Sequence, residues 1–476
     1  MNTNDNRIAP KPSGWRVRPS EQRTILLLGD LVVAALALFV ALYIWGRRDI
    51  WFGFTLGFLQ ERVEPWFYLL PLGWLVMLVD LYDVHHANNW RTTVRGIAIA
   101  ALIGLAIYAF IYVIVEGSLN RIGIGVFLAA ASSLTFFWRL VYIRIFTAPA
   151  FMRRVLVIGA GKAGQRLAEV YKNLWPPPFF MVGFIDDDPQ KIGRQVEEYP
   201  ILGLSNRLLE FAEKERVSDI VVAIIGEMQG DTFQAILDAQ ESGIEITPMA
   251  TLYEEMLGRV PVHHLESDWL LRSFVDEARV SGFYEAGKRC LDILGGLVGL
   301  GIFALLYPLV AFLILLDSGY PVLYKQIRSG RGGKPYDVYK FRTMRQDAEK
   351  DGKVQLTQEK DSRITNVGNF LRKTHIDELP QFINVLQGKM SLVGPRSERP
   401  EWIAEFQKQI PFYRARLLVK PGVTGWAQVN YSYYATVEEM AIKLEYDLYY
   451  IKHRNLLMDS LILLRTVGQV FGLRGR

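Results

Sequence analysis

Four long apolar runs constrain this chain before any other feature does. They lie at residues 24–46, 66–84, 94–115 and 121–147. Each approaches the ~20 residues a helix needs to cross a bilayer. The composition agrees: half of the residues are hydrophobic, and the mean hydropathy is +0.14, values rare in a soluble chain. The first run does not read as a signal peptide, because its apolar part is too long and a basic, polar stretch precedes it. Arg7, Lys11, Arg16, Arg18 and Arg23 lie before the first run, and Arg144, Arg153 and Arg154 end or follow the fourth. This basic excess predicts a bundle of four transmembrane helices, over residues 1–150, with both ends in the cytosol. Asp30 and Asp80 fall inside the runs. An intramembrane carboxylate is a functional candidate by default, but a helix–helix hydrogen bond explains it more simply.

At 476 residues the chain is too long for one core, so two or three domains are expected. A net charge of +5 is modest for this size. It does not suggest nucleic acid, and it suits a protein that lies on anionic lipid and handles anionic substrates. A single cysteine, Cys290, excludes an internal disulfide and fits a reducing cytosol.

Residues 151–270 read as a Rossmann-like domain. A β-branched apolar run, RRVLVIG, leads into Gly159, Gly161 and Gly164 and then into the helical pattern QRLAEVYKNL. Strand, glycine turn and helix form the context in which G-x-G-x-x-G admits a pyrophosphate at a helix N-terminus. The three glycines are therefore candidate cofactor-binding residues. They also fit a turn that exists only to pack the helix on the strand, and no catalytic constellation accompanies them.

The chemistry concentrates beyond residue 280. The apolar stretch from Cys290 to Leu316 is long enough to span a membrane, yet Lys288 and Arg289 precede it and Lys325, Arg328, Arg331 and Lys334 follow it. Basic residues on both flanks conflict with a simple crossing. Pro308, near the middle, predicts a bend, so a re-entrant helix over about residues 288–316 is expected, with a plain fifth span as the alternative. Further on, cations gather around one acid pair: Lys340, Arg342, Arg372 and Arg396 about Asp377 and Glu378. The segment THIDELPQFINVLQG predicts a short helix, capped by Thr374 and stopped by Gly388. Asp377 then either caps that helix or acts as a nucleophile held ionised by the helix dipole and the arginines. Glu378, pointing about 100° away on a helix, is the better candidate to hold Mg²⁺. No His/Cys cluster with zinc spacing exists; His85–His86 and His263–His264 read as surface or turn residues.

From about residue 284 to 472 these motifs resemble the bacterial sugar transferase family, the monotopic polyprenyl-phosphate hexose-1-phosphate transferases. Lys288, Arg289 and Asp292 match its K-R-x-x-D, and Pro308 its helix-breaking proline, with Tyr307 where serine is frequent. Lys340–Met344 match K-F-R-T/S-M, and Arg372, Lys373 and Asp377–Gln381 match R-K-x-x-x-D-E-L-P-Q. Gly388, Met390, Ser391, Val393, Gly394, Pro395 and Arg396 match G-x-M-S-x-V-G-P-R-P, with Ser397 in place of the last proline. Pro421, Gly422, Thr424, Gly425 and Gln428 follow as P-G-x-T-G-x-x-Q. The N-terminal bundle and the Rossmann-like (CoA-binding-like) middle domain match the family's larger members, and the C-terminal part, with PFYRARLLVKPGVTGWAQVNY, is most similar to exopolysaccharide-type members.

The resemblance implies a C-terminal α-rich catalytic domain, residues 280–476, resting on a re-entrant helix at the cytosolic face of the bacterial inner membrane. It implies transfer of a hexose-1-phosphate from a UDP-sugar to polyprenyl phosphate through a phosphoryl-aspartate on Asp377. In that scheme Lys340, Arg342, Arg372 and Arg396 bind phosphate, and Glu378 and Mg²⁺ assist. A homodimer is compatible with it. Two other functions compete. A nucleotide-sugar dehydratase or epimerase would need a second G-x-G-x-x-G and a Tyr-x-x-x-Lys pair; Tyr336 and Lys340 have that spacing, but no second fingerprint follows residue 280. A non-catalytic membrane scaffold would not need the intact acid pair.

Overall fold

The computed structural model describes residues 19–82, 87, 89–114, 120–146, 152–175, 177–264, 282–345, 361, 363–431 and 436–471. They form two compact units, divided between Leu252 and Tyr253.

The first unit opens with α1 (Pro19–Arg48), α2 (Leu56–Glu61), α3 (Leu70–Met77), α4 (Trp90–Ile114) and α5 (Arg121–Phe146). Glu21–Arg48, Trp90–Val113 and Arg121–Phe146 are long and apolar enough to cross a bilayer, which makes this a membrane protein. The expected span at 66–84 is not one helix. A 3₁₀ turn (Pro65–Leu69), the eight-residue α3 and a second 3₁₀ turn (Val79–Tyr82) replace it. Pro65 and Pro71 each sit where a new helical segment begins, the position their missing N–H tolerates best. Hydropathy measures composition and is blind to such breaks. The irregular backbone is compensated inside the bundle: fully buried Arg139 donates Nη1 to the Leu81 carbonyl (2.8 Å) and pairs with buried Asp30 at 2.6 Å. Asp30 thus makes the interhelical bond expected of it. The side chain of Asp80 and the pair His85–His86 lie outside the described residues.

The same unit continues through β1 (Arg154–Ile158), α6 (Lys162–Lys172), β2 (Phe180–Ile185), β3 (Gln195–Val196), β4 (Tyr199–Gly203), α7 (Leu208–Lys214), β5 (Asp219–Val222), α8 (Gly230–Glu241) and β6 (Glu245–Pro248) to α9 (Met249–Leu257), within which the boundary falls. The sheet order is β3-β4-β2-β1-β5-β6, parallel except for the β3–β4 pair. Central β1 is covered on both faces, which is why its sequence is a continuous apolar run and not an alternating one.

The second unit holds α10 (Gly282–Ser318), the antiparallel hairpin β7 (Leu323–Ser329) and β8 (Pro335–Phe341), α11 (Asn366–Lys373), α12 (Gln381–Leu386), β9 (Ser391–Val393), α13 (Pro400–Gln409), β10 (Gly422–Thr424, parallel to β9), α14 (Trp426–Asn430), α15 (Val437–His453) and α16 (Leu456–Phe471). Its core gathers Val385, Met390, Leu392, Leu444, Leu448 and Ile462, together with Val260 and Val262. The chain therefore joins this core well before the boundary expected near residue 270.

α10 remains one helical element through Pro308. Its 37 residues span about 55 Å at ~1.5 Å per residue. Two stripes run along it. Leu294, Leu297, Val298, Leu305, Leu309 and Leu316 are each more than half exposed. The opposite stripe docks along the rest of this unit. A Cβ on Gly295, Gly296 or Gly299 would lie within 3 Å of Leu392, Leu386 or Phe382, so small residues permit this approach. Val310 and Ile314 then pack with Phe341 and Leu371. Near the N-terminal end, Arg289 donates to the carbonyls of Val385 and Leu386 at the close of α12, and Asp292 accepts from Ser391 Oγ and Leu392 N. Lys288 joins a buried cluster with Tyr450 and Asp459, all at 3.0 Å or less. The K-R-x-x-D pattern is thus a docking device for this helix.

Candidate active site

The acid pair lies between two helices and not at the start of one. α11 ends at Lys373, with Thr374 as its C-terminal cap, so the capping role expected of Thr374 is reversed. His375 then takes a left-handed conformation (φ 56°), which turns the chain into a 3₁₀ turn, Ile376–Glu378. α12 begins only at Gln381. A three-residue turn carries little dipole, so the electrostatics of the pair come from side chains.

Strand β8 delivers Lys340, whose Nζ lies 2.8 Å from Glu378 Oε1. Arg396, beyond β9, places Nη2 2.7 Å from the same oxygen. Arg372, near the end of α11, bonds through Nε to Thr343 Oγ1 at 2.9 Å. Asn384 clips α12 to β8, donating to the Asp337 carbonyl and accepting from Tyr339 N. That clip fixes the spacing between the acid pair and the strand carrying Lys340.

The two acids titrate apart. Burial pushes the Asp377 carboxyl above its usual range; Lys340, Arg372 and Arg396 draw it back, while Glu378 pushes it further. Burial would raise Glu378 as well, but Arg396 and Lys340, both bonded to it, hold it well below the usual carboxylate range. Glu378 is therefore the fixed anion that collects the cations. Asp377 is the less compensated carboxylate, its side chain buried beside them. Such a carboxylate can attack an electrophilic phosphorus whose oxygens the same cations neutralise.

Arg342 stands elsewhere than expected. Its Nη2 donates to the carbonyl (2.8 Å) and hydroxyl (3.0 Å) of Ser318 and to the Gly319 carbonyl, closing the C-terminal end of α10. The cations acting on Asp377 are Lys340, Arg372 and Arg396. Lys340, Arg396, Asp377 and Glu378 are brought together as the sequence suggests. His375 and Asn384 are site-building residues that sequence reasoning missed, and Thr343, inside the K-F-R-T/S-M match, had no role of its own there; the left-handed turn and the cross-element bonds leave no spacing signal.

Among the described residues no group of three or more His, Cys, Asp or Glu side chains could hold a metal by itself. The donor set still fits Mg²⁺, which needs only one or two carboxylates when substrate phosphates and water supply the rest. Glu378 and Asp377 are adjacent hard oxygen donors of that kind. The Tyr-x-x-x-Lys spacing of Tyr336 and Lys340 lies on β8. Residues four apart on a strand stand about 13 Å from each other, and Lys340 is engaged by Glu378, so that pair does not assemble.

In the middle domain, the glycine turn is shaped by packing. A Cβ on Gly164 would lie 2.1 Å from the Gly159 carbonyl, and one on Gly159, at φ +101°, 2.9 Å from the Ala223 carbonyl. Gly161 alone faces open space. The Ala160 N–H donates to Asp186 Oδ2 (2.7 Å), and Lys191 also bonds that carboxylate.

Comparison with known proteins bears on both regions. The family described as bacterial sugar transferase matches residues 283–473, and a CoA-binding domain family matches residues 77–246. The UDP-N-acetylgalactosamine-undecaprenyl-phosphate N-acetylgalactosaminephosphotransferase of Aeromonas hydrophila is 38% identical over 54% of this chain and 60% of its own length, under two thirds. The UDP-glucose:undecaprenyl-phosphate glucose-1-phosphate transferase of Escherichia coli strain K12 is 34% identical over 67% of this chain and 68% of its own. A protein of the same description from Xanthomonas campestris pv. campestris is 30% identical over 67% of each. Likeness of this extent, carried by the region that holds the acid pair, shows that the chain belongs to the bacterial sugar transferase family, among the phosphoglycosyl transferases.

Proposed function

We propose that this protein moves a hexose-1-phosphate from a UDP-sugar onto undecaprenyl phosphate at the inner membrane, as a first step of exopolysaccharide synthesis. The observation that carries this reading is the buried Asp377 beside Glu378, with Lys340, Arg372 and Arg396 acting on it. The Asp377 carboxylate attacks the phosphorus bound to the sugar, the bond to the bridging oxygen breaks, and UMP leaves. A phosphate oxygen of the lipid then attacks the same phosphorus and the carboxylate departs, leaving the sugar on a lipid diphosphate. Lys340 and Arg396, already gathered on Glu378, stand ready beside the acid pair to meet the charge that builds on the transferring phosphoryl oxygens. Glu378 and the substrate phosphates would hold Mg²⁺, which supplies charge neutralisation when bound.

The re-entrant reading of α10 belongs to the same proposal. Its support is that one stripe of the helix follows the catalytic fold from Lys288 to Ile314 while the other is apolar and exposed. A crossing helix would have to carry the folded domain into the bilayer with it. The catalytic unit then lies on the cytosolic face, where UDP-sugars are made.

The relatives' names divide between N-acetylgalactosamine and glucose, so the test uses a panel. Purified protein with undecaprenyl phosphate, Mg²⁺ and each of several UDP-sugars should release UMP with one or a few of them. Asp377→Asn should lose at least ~10³-fold in turnover while remaining folded in membranes. Wild-type UMP release by that variant removes Asp377 from the reaction.

A further inference from the structure

The segment carrying Arg396 belongs to no helix or strand. β9 ends at Val393 and α13 starts at Pro400. Nevertheless four successive carbonyls of this segment are each held by a different donor. The carbonyl of Pro395 accepts from Gly422 N (2.9 Å) and that of Glu398 from Ser329 N (2.9 Å). Between them, the carbonyl of Arg396 accepts from Arg416 Nη2 (3.1 Å) and that of Ser397 from Arg328 Nη1 (3.0 Å). The two backbone donors fix the ends, and the two guanidinium groups fix the peptide planes on either side of Ser397. Ser397 has no ring to restrain its own φ, so these bonds supply the restraint.

Both arginines are themselves oriented. The side chain of Arg416 is 2% exposed, pairs with Asp447 at 2.8 Å and donates to the Tyr413 hydroxyl at 2.7 Å. Glu398 lies 3.6 Å from Arg416 and 3.7 Å from Arg328, and is tied to buried Lys443 at 2.6 Å. Lys443 and Asp447 stand one turn apart on α15, so that helix sets the position of the cluster. At the other end, the Arg396 side chain reaches Glu378 at 2.7 Å.

We infer that Arg416 and Arg328 are positioning residues for the transfer: through the carbonyls of Arg396 and Ser397 they aim the Arg396 guanidinium at the acid pair. The inference rests on the proposed reaction. A donor that must meet charge developing on a phosphoryl group works only when its geometry is set beforehand, and a displacement of about 1 Å costs on the order of 10²-fold in rate. Their bonds to this segment run to the carbonyls of Arg396 and Ser397, so each acts through the segment that carries Arg396.

A double-mutant cycle on the full-length protein tests this. Arg416→Lys, Arg328→Gln and Arg396→Ala are made singly, and the first two again in the Arg396→Ala background. UMP release is measured with undecaprenyl phosphate and the best UDP-sugar of the panel. Arg416→Lys and Arg328→Gln should each lower kcat about tenfold or more, with KM for the UDP-sugar within about threefold and the protein still folded at the assay temperature. In the Arg396→Ala background each should add less than about twofold. Losses that multiply, or wild-type kcat in either single variant, overturn the inference. Arg328, on β7 with its side chain 20% exposed, decides the matter by itself if Arg416→Lys does not fold. Full turnover in Arg396→Ala also overturns it, while loss in Asp377→Asn leaves the parent reaction standing. Full turnover in Asp377→Asn places the failure in the parent reading instead.

Discussion

Glu398 shows what a single residue contributes to this site. Burial alone would raise its carboxyl, but Lys443, Arg416 and Arg328 hold it down at about 2. A folded value below the unfolded one, 4.5, means stability that is fully present above that value and lost as pH falls through about 2. Glu398→Gln should therefore destabilise the protein at neutral pH by roughly 3–5 kcal/mol, the usual cost of breaking a buried pair. The gap between variant and wild type should narrow as the pH is taken below 4.5; thermal unfolding in detergent across that range checks it. A constant gap would mean that the carboxylate charge is not what stabilises the cluster. At this scale the acid pair and its cations were legible, because Asp and Glu beside several Arg and Lys can be read as chemistry. The partner of each cation was not. Arg342 is chemically fit to bind phosphate, and only its place beside the end of α10 assigns it to Ser318 and Gly319.

Among the elements, the glycine turn of the middle domain makes the sharpest contrast. A Cβ on Gly161 would meet no atom within 4 Å, and its φ is an ordinary −82°, whereas a Cβ on Gly164 would lie 2.1 Å from a backbone carbonyl. Gly161→Ala should leave stability within about 0.5 kcal/mol, and Gly164→Ala should cost about 1–3 kcal/mol by overpacking. Chemical unfolding of the two variants compares them directly. Equal effects would mean that the turn is not held together by this close approach. The same element scale is where periodicity failed at Thr374 and Asp377: the left-handed His375 ends α11 at its cap Thr374 and starts a 3₁₀ turn that holds the acid pair ahead of α12. Hydropathy failed similarly at residues 65–82, where prolines restart the helix.

For the molecule as a whole, the route of α10 decides which side of the membrane the chemistry occupies. Exposed Gly282, at its start, and exposed Lys334, in the loop after β7, flank it. In a Cys290→Ser background, Gly282→Cys and Lys334→Cys should both resist an impermeant thiol reagent on intact cells and both react after permeabilisation. Labelling of the Lys334→Cys site in intact, active cells would show a crossing and end the re-entrant reading.

Much of this protein was determined by its sequence alone: apolar runs long enough to span, a βα alternation around a glycine turn, and ordered motifs that converge on one acid pair. Such features depend on local composition and on spacing along the chain, which physics reads without knowing the fold. Tertiary structure decided what is relational. It set Lys340 and Arg396 on one oxygen of Glu378. It turned Lys288, Arg289 and Asp292 into the dock for α10. It suspended the Arg396 segment from donors on β7, β10 and the turn at Arg416. Those bonds join residues tens to more than a hundred positions apart, and which donor reaches which carbonyl is fixed only once the elements have packed.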